Sequence, residues 1–219
     1  MSLRCLTITL LLAGGLRGWC SPELVTAARG QVGKTVSYDP AYVSLTYPGG
    51  DVPIEKGVCT DVVVRAFRTA LSTDLQKLVH EDMAANFKAY PKLWGLSRTD
   101  ANIDHRRVPN LQKFFERRGC KLPVTQEAGD YQPGDLVTCT VAGKLPHIMI
   151  VSDKKSADGR PLVIHNIGAG AQEEDCLFTY PLTGHYRWKG PAAKPAATPP
   201  GGAIAAPASE PAEGARPRP

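Results

Sequence analysis

The chain has 219 residues, of which 42% are hydrophobic, 21% charged and 7% aromatic. This composition excludes a coiled coil, a collagen and a wholly disordered chain, and the length allows one domain of ordinary size. The net charge of +5 is small and dispersed, which does not favour nucleic-acid binding. No apolar run approaches the roughly 20 residues that a membrane-spanning helix needs.

The two ends of the sequence differ from the middle. Residues 1–20 are typical of a secretory leader, because Arg4 precedes an uncharged, leucine-rich stretch. A lipid-modified Cys20 is an alternative that the bulky Trp19 disfavours. Residues 190–219 are rich in Pro, Ala and Gly and hold one large aliphatic residue, so we expect a disordered tail that acts as a spacer or carries a docking motif. Residues 21–189 are therefore predicted to form the domain of an exported protein.

Helical signals fill the first part of this domain. A start at Ser21-Pro22-Glu23 and a stop at Gly33 predict one helix, and prolines and glycines over 38–57 predict an irregular loop. Apolar spacing predicts three more helices, over residues 58–71, 75–90 and 109–119.

Strand signals follow the helices. Short β-branched or aromatic segments separated by turn residues predict strands over 136–141, 147–152, 162–167, 176–180 and 184–188. Helices followed by an antiparallel sheet indicate the α+β class.

One cysteine and two histidines form the candidate catalytic set. Cys59 opens the second predicted helix, where unsatisfied N–H groups favour a thiolate and can hold an oxyanion. His147 and His165 lie on neighbouring predicted strands, which can bring the two rings together. Each residue alone is more often structural, so the prediction depends on the combination.

The remaining cysteines leave an open question. Cys120, Cys139 and Cys176 accompany Cys59 in the mature chain, and an oxidising compartment permits disulfides. Cys139 and Cys176 could pair, but the sequence does not decide the pairing. No HExxH pattern and no Cys-x-x-Cys pair is present, so we expect no metal and no cofactor.

The motifs resemble two related families. Tyr38 with GVCTD (57–61), QPGDLV (132–137), HIMIV (147–151) and IHN (164–166) is similar to the NlpC/p60 group of papain-like cysteine peptidases. YDPAYV (38–43), VHEDM (79–83), NIDHRRVPNL (102–111), VIHNIG (163–168) and GHYR (184–187) resemble bacterial domain-of-unknown-function family 1287. The resemblance implies a papain-like domain with N-terminal helices packed on a C-terminal antiparallel sheet.

The resemblance also implies roles for individual residues. Cys59 would be the nucleophile, His147 the general base and His165 the group that orients His147, with Asn166 as a rival for that third role. Tyr38 would line the site near the oxyanion, and Thr60, Asp61 and Asn166 would line it as well. Thr60 and Asp61 replace the usual Ser-Gly, which suggests a different substrate contact, such as one to an amine. Residues 72–131 form a longer insert than a minimal domain needs.

Two adjacent arginines are the last candidate group. Arg106 and Arg107 could clamp a carboxylate or phosphate of the substrate. The alternative is a salt bridge with Asp100, Asp104 or Glu116.

These expectations combine into one function. The resemblance implies a cysteine hydrolase, exported to the bacterial periplasm or the extracellular space, that cleaves amide bonds in peptidoglycan stem peptides. A papain-like thioesterase or acyltransferase acting on lipid and a non-catalytic cell-wall binding module are the alternatives. The bond cleaved, the oligomeric state and the physiological role stay open.

Overall fold

The computed structural model describes residues 21–190. The predicted leader (1–20) and residues 191–219 of the predicted tail lie outside the described residues. Over residues 21–190 the chain is mixed α+β, with four α-helices: α1 (Pro22–Arg29), α2 (Cys59–Leu71), α3 (Leu75–Ala85) and α4 (Val108–Arg117). No helix of that range is long and apolar enough to cross a membrane.

Two sheets accompany the helices. The short strands β1 (Ser37–Tyr38) and β2 (Lys56–Gly57) pair in parallel. The other sheet is antiparallel, has the strand order β3-β8-β4-β5-β6-β7, and is built from β3 (Lys121–Leu122), β4 (Leu136–Val141), β5 (Leu145–Lys155), β6 (Pro161–Asn166), β7 (Ala171–Glu174) and β8 (Leu182–Tyr186).

Strand alternation divides the apolar core between the two faces of this sheet. Ile148 and Ile150 of β5 pack in one cluster with α1, α2 and α4. Met149 and Val151 pack in a second cluster on the other face. The central strands β4, β5 and β6 are thus covered on both sides, which gives the site a firm support.

Three predicted elements differ from the structure. The first helix ends at Arg29 and the chain continues as turns, before the predicted stop at Gly33. The helix predicted over 75–90 ends at Ala85, because Asn86 leaves the helical conformation and its side-chain N–H donates to the Asp82 carbonyl at 2.9 Å. The strand predicted over 176–180 is absent from the described fold, and the chain forms β7 earlier, directly after a glycine-rich turn. The apolar residues of 176–180 are used differently, since Leu177 fills the second core cluster.

Candidate functional site

The sequence around Cys59 builds a tight helix entry. Asp61 accepts a hydrogen bond from the Val58 N–H at 2.7 Å, which satisfies one of the free donors at the start of α2. A Cβ at Gly57 would lie 2.9 Å from Asp61 Oδ2, so glycine is needed for this approach. Cys59 is then the first residue of α2, as predicted.

Cys59 lines a cleft of about 170 Å³. The insert between α3 and α4, the first residues of α4 and Pro146 of β5 also line the cleft. Tyr38 also lines the cleft, held there by the pairing of β1 with β2. Burial raises the pKa of Tyr38 to about 12, and the neighbouring Cys59 and Asp61 act in the same direction.

Burial decides the protonation state of the thiol. Cys59 is only 4% exposed, and this burial raises its pKa to about 12. The N–H groups of Ile148, Thr60 and Cys59 itself favour the thiolate, but they do not offset the desolvation. The N–H groups at the start of α2 thus favour the thiolate as predicted, but burial outweighs them and keeps the pKa of the thiol raised.

A chain of two imidazoles and one carboxylate runs across β5, β6 and β7. His147 Nε2 and His165 Nδ1 lie 2.7 Å apart, and His165 Nε2 lies 3.1 Å from Glu174 Oε2. Burial lowers the pKa of His147 to about 3, with His165 adding to the effect, and burial also lowers that of His165. Both rings are therefore neutral at pH 7.

The thiol reaches β5 at its backbone rather than at the imidazole. The Cys59 sulfur lies against the N–H of Ile148, the residue that follows His147. The described side chains of Cys59 and His147 form no hydrogen bond with each other. By strand alternation His147 falls on the face that carries Met149, whereas Ile148 packs towards α2. A catalytic contact between sulfur and imidazole requires a side-chain movement, and catalytic hydrogen bonds are often long before substrate binds.

Asn166 and Thr60 do not line the cleft, contrary to the prediction. The Asn166 amide donates to the carbonyls of Ser37 at 3.1 Å and Gly57 at 3.0 Å, so it fastens β1 and β2 to the large sheet. His165, and not Asn166, contacts His147. The Thr60 hydroxyl is fully buried in α2 and has no hydrogen-bond partner.

Asp61 and Arg106 neutralise each other, which corrects their predicted roles. The Arg106 guanidinium donates to both Asp61 oxygens, at 3.0 and 2.9 Å, and the two side chains are 2% and 5% exposed. Arg106 also donates to two backbone carbonyls near Tyr38. Asp61 is thus not free to bind a substrate amine, and Arg106 is not free to clamp an anion. Arg106 does form a salt bridge, which was the predicted alternative, but its partner is Asp61 and not one of the three acidic residues predicted.

Arg107 keeps the properties of an anion-binding residue. Its guanidinium carbon lies 4.6 Å from the ring centroid of Trp94, and both residues line the Cys59 cleft. Arg107 Nη1 is buried without a hydrogen-bond partner. No local signal in the sequence marks Trp94, which is 56% exposed and adopts a left-handed backbone conformation with φ of 60°. Such backbone strain is concentrated at ligand sites.

The four described cysteines are free thiols, including the candidate pair Cys139 and Cys176. Cys176 lies instead beside His165, with Sγ 3.5 Å from Nε2. Cys176, His165 and Glu174 form a group of side chains that could bind a metal ion, the group of this kind found within residues 21–190. Sequence motifs missed it because the ligands come from two strands and a turn.

The fold and the site define an α+β domain in which a cysteine-lined cleft adjoins a buried imidazole pair. The chain belongs to the family described as Domain of unknown function (DUF1287), whose model matches residues 25–188. It is 59% identical over 165 residues to "Uncharacterized protein YijF" of Escherichia coli strain K12, across 75% of this chain and 80% of that protein. The resemblance to family 1287 is thereby confirmed.

Proposed function

We propose that the chain is a cysteine hydrolase of the papain-like NlpC/p60 type, exported by its leader, that cleaves amide bonds in the peptide stems of bacterial peptidoglycan. One observation carries the proposal. The cysteine that opens α2 lies in a cleft, against the strand that presents the linked imidazoles of His147 and His165. The motif resemblance to NlpC/p60 supplies the reaction class and the substrate.

The imidazole chain sets the direction of proton transfer. If His165 Nε2–H donates to Glu174, then His165 Nδ1 accepts the hydrogen of His147 Nε2. The lone pair of His147 is then on Nδ1, where it can take the thiol proton of Cys59. This arrangement matches the logic of a triad, in which a third group fixes the tautomer of the base.

The reaction then proceeds by acyl transfer. Cys59 Sγ gives its proton to His147 and bonds to the amide carbon, while N–H groups around the sulfur hold the oxyanion. The C–N bond breaks as His147 protonates the leaving amine. Water then attacks the thioester while His147 takes one of its protons. The C–S bond breaks, His147 returns that proton to the sulfur, and the free acid leaves with the thiol and the neutral imidazole restored. Because the resting pair is neutral, proton transfer accompanies the attack.

Arg107 supports a substrate that carries a carboxylate. Its unpaired Nη1 in the cleft can complete a bidentate contact, which peptide carboxylates accept. We expect Arg107→Met to raise KM about tenfold with little change in kcat, since a hydrogen bond to a charged group contributes about 1.5 kcal/mol. Arg118→Met is the matched control, because Arg118 stacks on Phe114 without lining the cleft. Equal KM values in both variants would contradict this role.

Specific observations support two other functions. Burial of the Cys59 thiol and its missing hydrogen bond to His147 favour a non-catalytic cell-wall binding module. The largely apolar lining of the cleft, with Val58 and Ile103 beside Trp94, favours a thioesterase or acyltransferase on lipid.

One experiment separates the three functions. Purified protein, Cys59→Ala and the control Cys120→Ala are incubated with peptidoglycan and with an acyl thioester, and mass spectrometry identifies the products. We expect new amine and carboxyl ends in the stem peptides, a loss of about 10³-fold or more in Cys59→Ala, and none in Cys120→Ala. Equal product from Cys59→Ala would refute the proposal. Binding without product would identify a binding module, and cleavage of the thioester alone would identify the lipid enzyme.

A further inference from the structure

The β6–β7 hairpin brings three metal-binding side chains together beside the imidazole pair. Val163 is opposite Glu174 in this hairpin, so Glu174 is a diagonal neighbour of His165. His165 Nε2 lies 3.1 Å from Glu174 Oε2 and 3.5 Å from Cys176 Sγ. All three potential ligand atoms lie within 4.8 Å of one another.

We propose that His165, Glu174 and Cys176 bind a zinc ion. Zinc prefers nitrogen, sulfur and carboxylate ligands at about 2.0 Å from nitrogen or oxygen and about 2.3 Å from sulfur. At tetrahedral angles these bond lengths place N and S about 3.5 Å apart and N and O about 3.3 Å apart. The observed separations from His165, 3.5 Å to sulfur and 3.1 Å to oxygen, are close to these values. The Glu174 oxygen and the Cys176 sulfur lie within 4.8 Å of each other and would approach to about 3.5 Å around the ion.

The surroundings favour the same ion. Metal-bound histidines usually engage their second ring nitrogen in a hydrogen bond, and His165 Nδ1 faces His147 Nε2 at 2.7 Å. Glu174 is 48% exposed, and a cavity of about 190 Å³ borders Cys176. The open side at Glu174 gives the ion a path to the site, and the cavity has room for a water molecule as the fourth ligand. A thiolate with an imidazole selects zinc over magnesium or calcium.

Zinc would reverse the imidazole chain. Bound zinc occupies the lone pair of His165 Nε2, so the hydrogen of His165 moves to Nδ1 and is donated to His147 Nε2. His147 then carries its own hydrogen on Nδ1 and cannot accept the proton of Cys59. Each ring keeps one hydrogen, and the Cys176 thiol releases its proton to water. Zinc occupancy therefore inhibits hydrolysis. This inhibition rests on the proposed function, whereas the binding of zinc is independent of it.

Binding is tested first, without any substrate. Chelator-treated full-length protein is titrated with Zn²⁺ by calorimetry and with Co²⁺ by absorption spectroscopy. We expect one ion per chain, a sulfur-to-cobalt charge-transfer band, and affinity at least about tenfold weaker in Cys176→Ser and Glu174→Gln. Cys120→Ser is the matched cysteine control, and Cys59→Ala excludes binding at the nucleophile; both should bind as the wild type does. Equal affinity in Cys176→Ser, or a cobalt spectrum without the sulfur band, would overturn the site.

Inhibition is tested with the peptidoglycan assay. For each protein the rate with Zn²⁺ is divided by the rate with chelator. We expect this ratio to be at least about tenfold lower in the wild type than in Cys176→Ser, matching the difference in affinity. Equal ratios, combined with confirmed binding at His165, would overturn the tautomer argument alone. Absence of hydrolysis in any condition would refute the proposed function and leave the zinc site standing on its spectra.

Discussion

Replacement of Asp61 by Asn distinguishes a structural carboxylate from a substrate contact. Asp61 accepts hydrogen bonds from the Val58 N–H and from two nitrogens of Arg106, and both members of the ion pair are almost fully buried. The amide keeps the shape of the side chain but removes its charge. Arg106 is then left as a buried cation without a counter-ion.

The size of the effect follows from this burial. Removal of one partner of a buried ion pair costs about 3–5 kcal/mol, because the remaining charge stays desolvated. Arg106 retains its contacts to the carbonyls of Asp39 and Ala41, so we expect the lower end, about 3 kcal/mol. For a domain of this size that loss lowers the melting temperature by about 6–12 °C.

Urea and thermal unfolding, followed by circular dichroism, measure the loss. Glu116→Gln is the control, since Glu116 is 41% exposed and its pairs with Lys113 and Lys121 should contribute less than about 1 kcal/mol. Arg106→Met in the Asp61→Asn background should recover part of the stability. A variant Asp61→Asn that is as stable as the wild type, with a raised KM, would refute the structural role and restore the substrate contact.

Two further predictions concern the sheet. His165→Ala should lower hydrolysis about 10²-fold or more, because His147 loses the group that fixes its tautomer. Asn166→Ala should instead lower the free energy of unfolding by about 1–3 kcal/mol, because two hydrogen bonds to backbone carbonyls are lost. Paired activity and urea measurements check both, and the reverse pattern would contradict the assignment. Burial favours a raised pKa for Asp135, but Arg187 and His185 outweigh it and hold the pKa below its usual 3.8. The stability that this carboxylate contributes is therefore present above about pH 4 and is lost as the pH falls through the lower folded value. Urea titrations below about pH 5 should show a shallower acid loss in Asp135→Asn, and an unchanged slope would show that another group is responsible.

The parts of the fold that were predictable have local causes. Helix α2 follows from apolar spacing and a capping aspartate three residues after Val58, so the position of Cys59 at its start could be read directly. Strand β4 has the predicted bounds because its residues are β-branched and buried and turns flank it. Pairing of β5 with β6 then followed from short connections.

The parts that were missed depend on distant partners. Asp61 and Arg106 are 45 positions apart, and no local pattern shows that one neutralises the other. The raised pKa of Cys59 reflects how much of the domain covers it, which a helix-end argument does not contain. Trp94 belongs to an insert with weak periodicity, so only the folded chain shows that it stacks on Arg107.

The two sides of the cleft come from parts of the chain that tolerate change to different degrees. Strands β5 and β6 are covered on both faces, so a substitution near the imidazoles disturbs packing in two clusters at once. The segment that carries Trp94 and Leu93 is exposed and connects two helices without entering the sheet. Substitutions in this connection should therefore cost less folding free energy than substitutions in β5 and β6, whose side chains are enclosed on both faces.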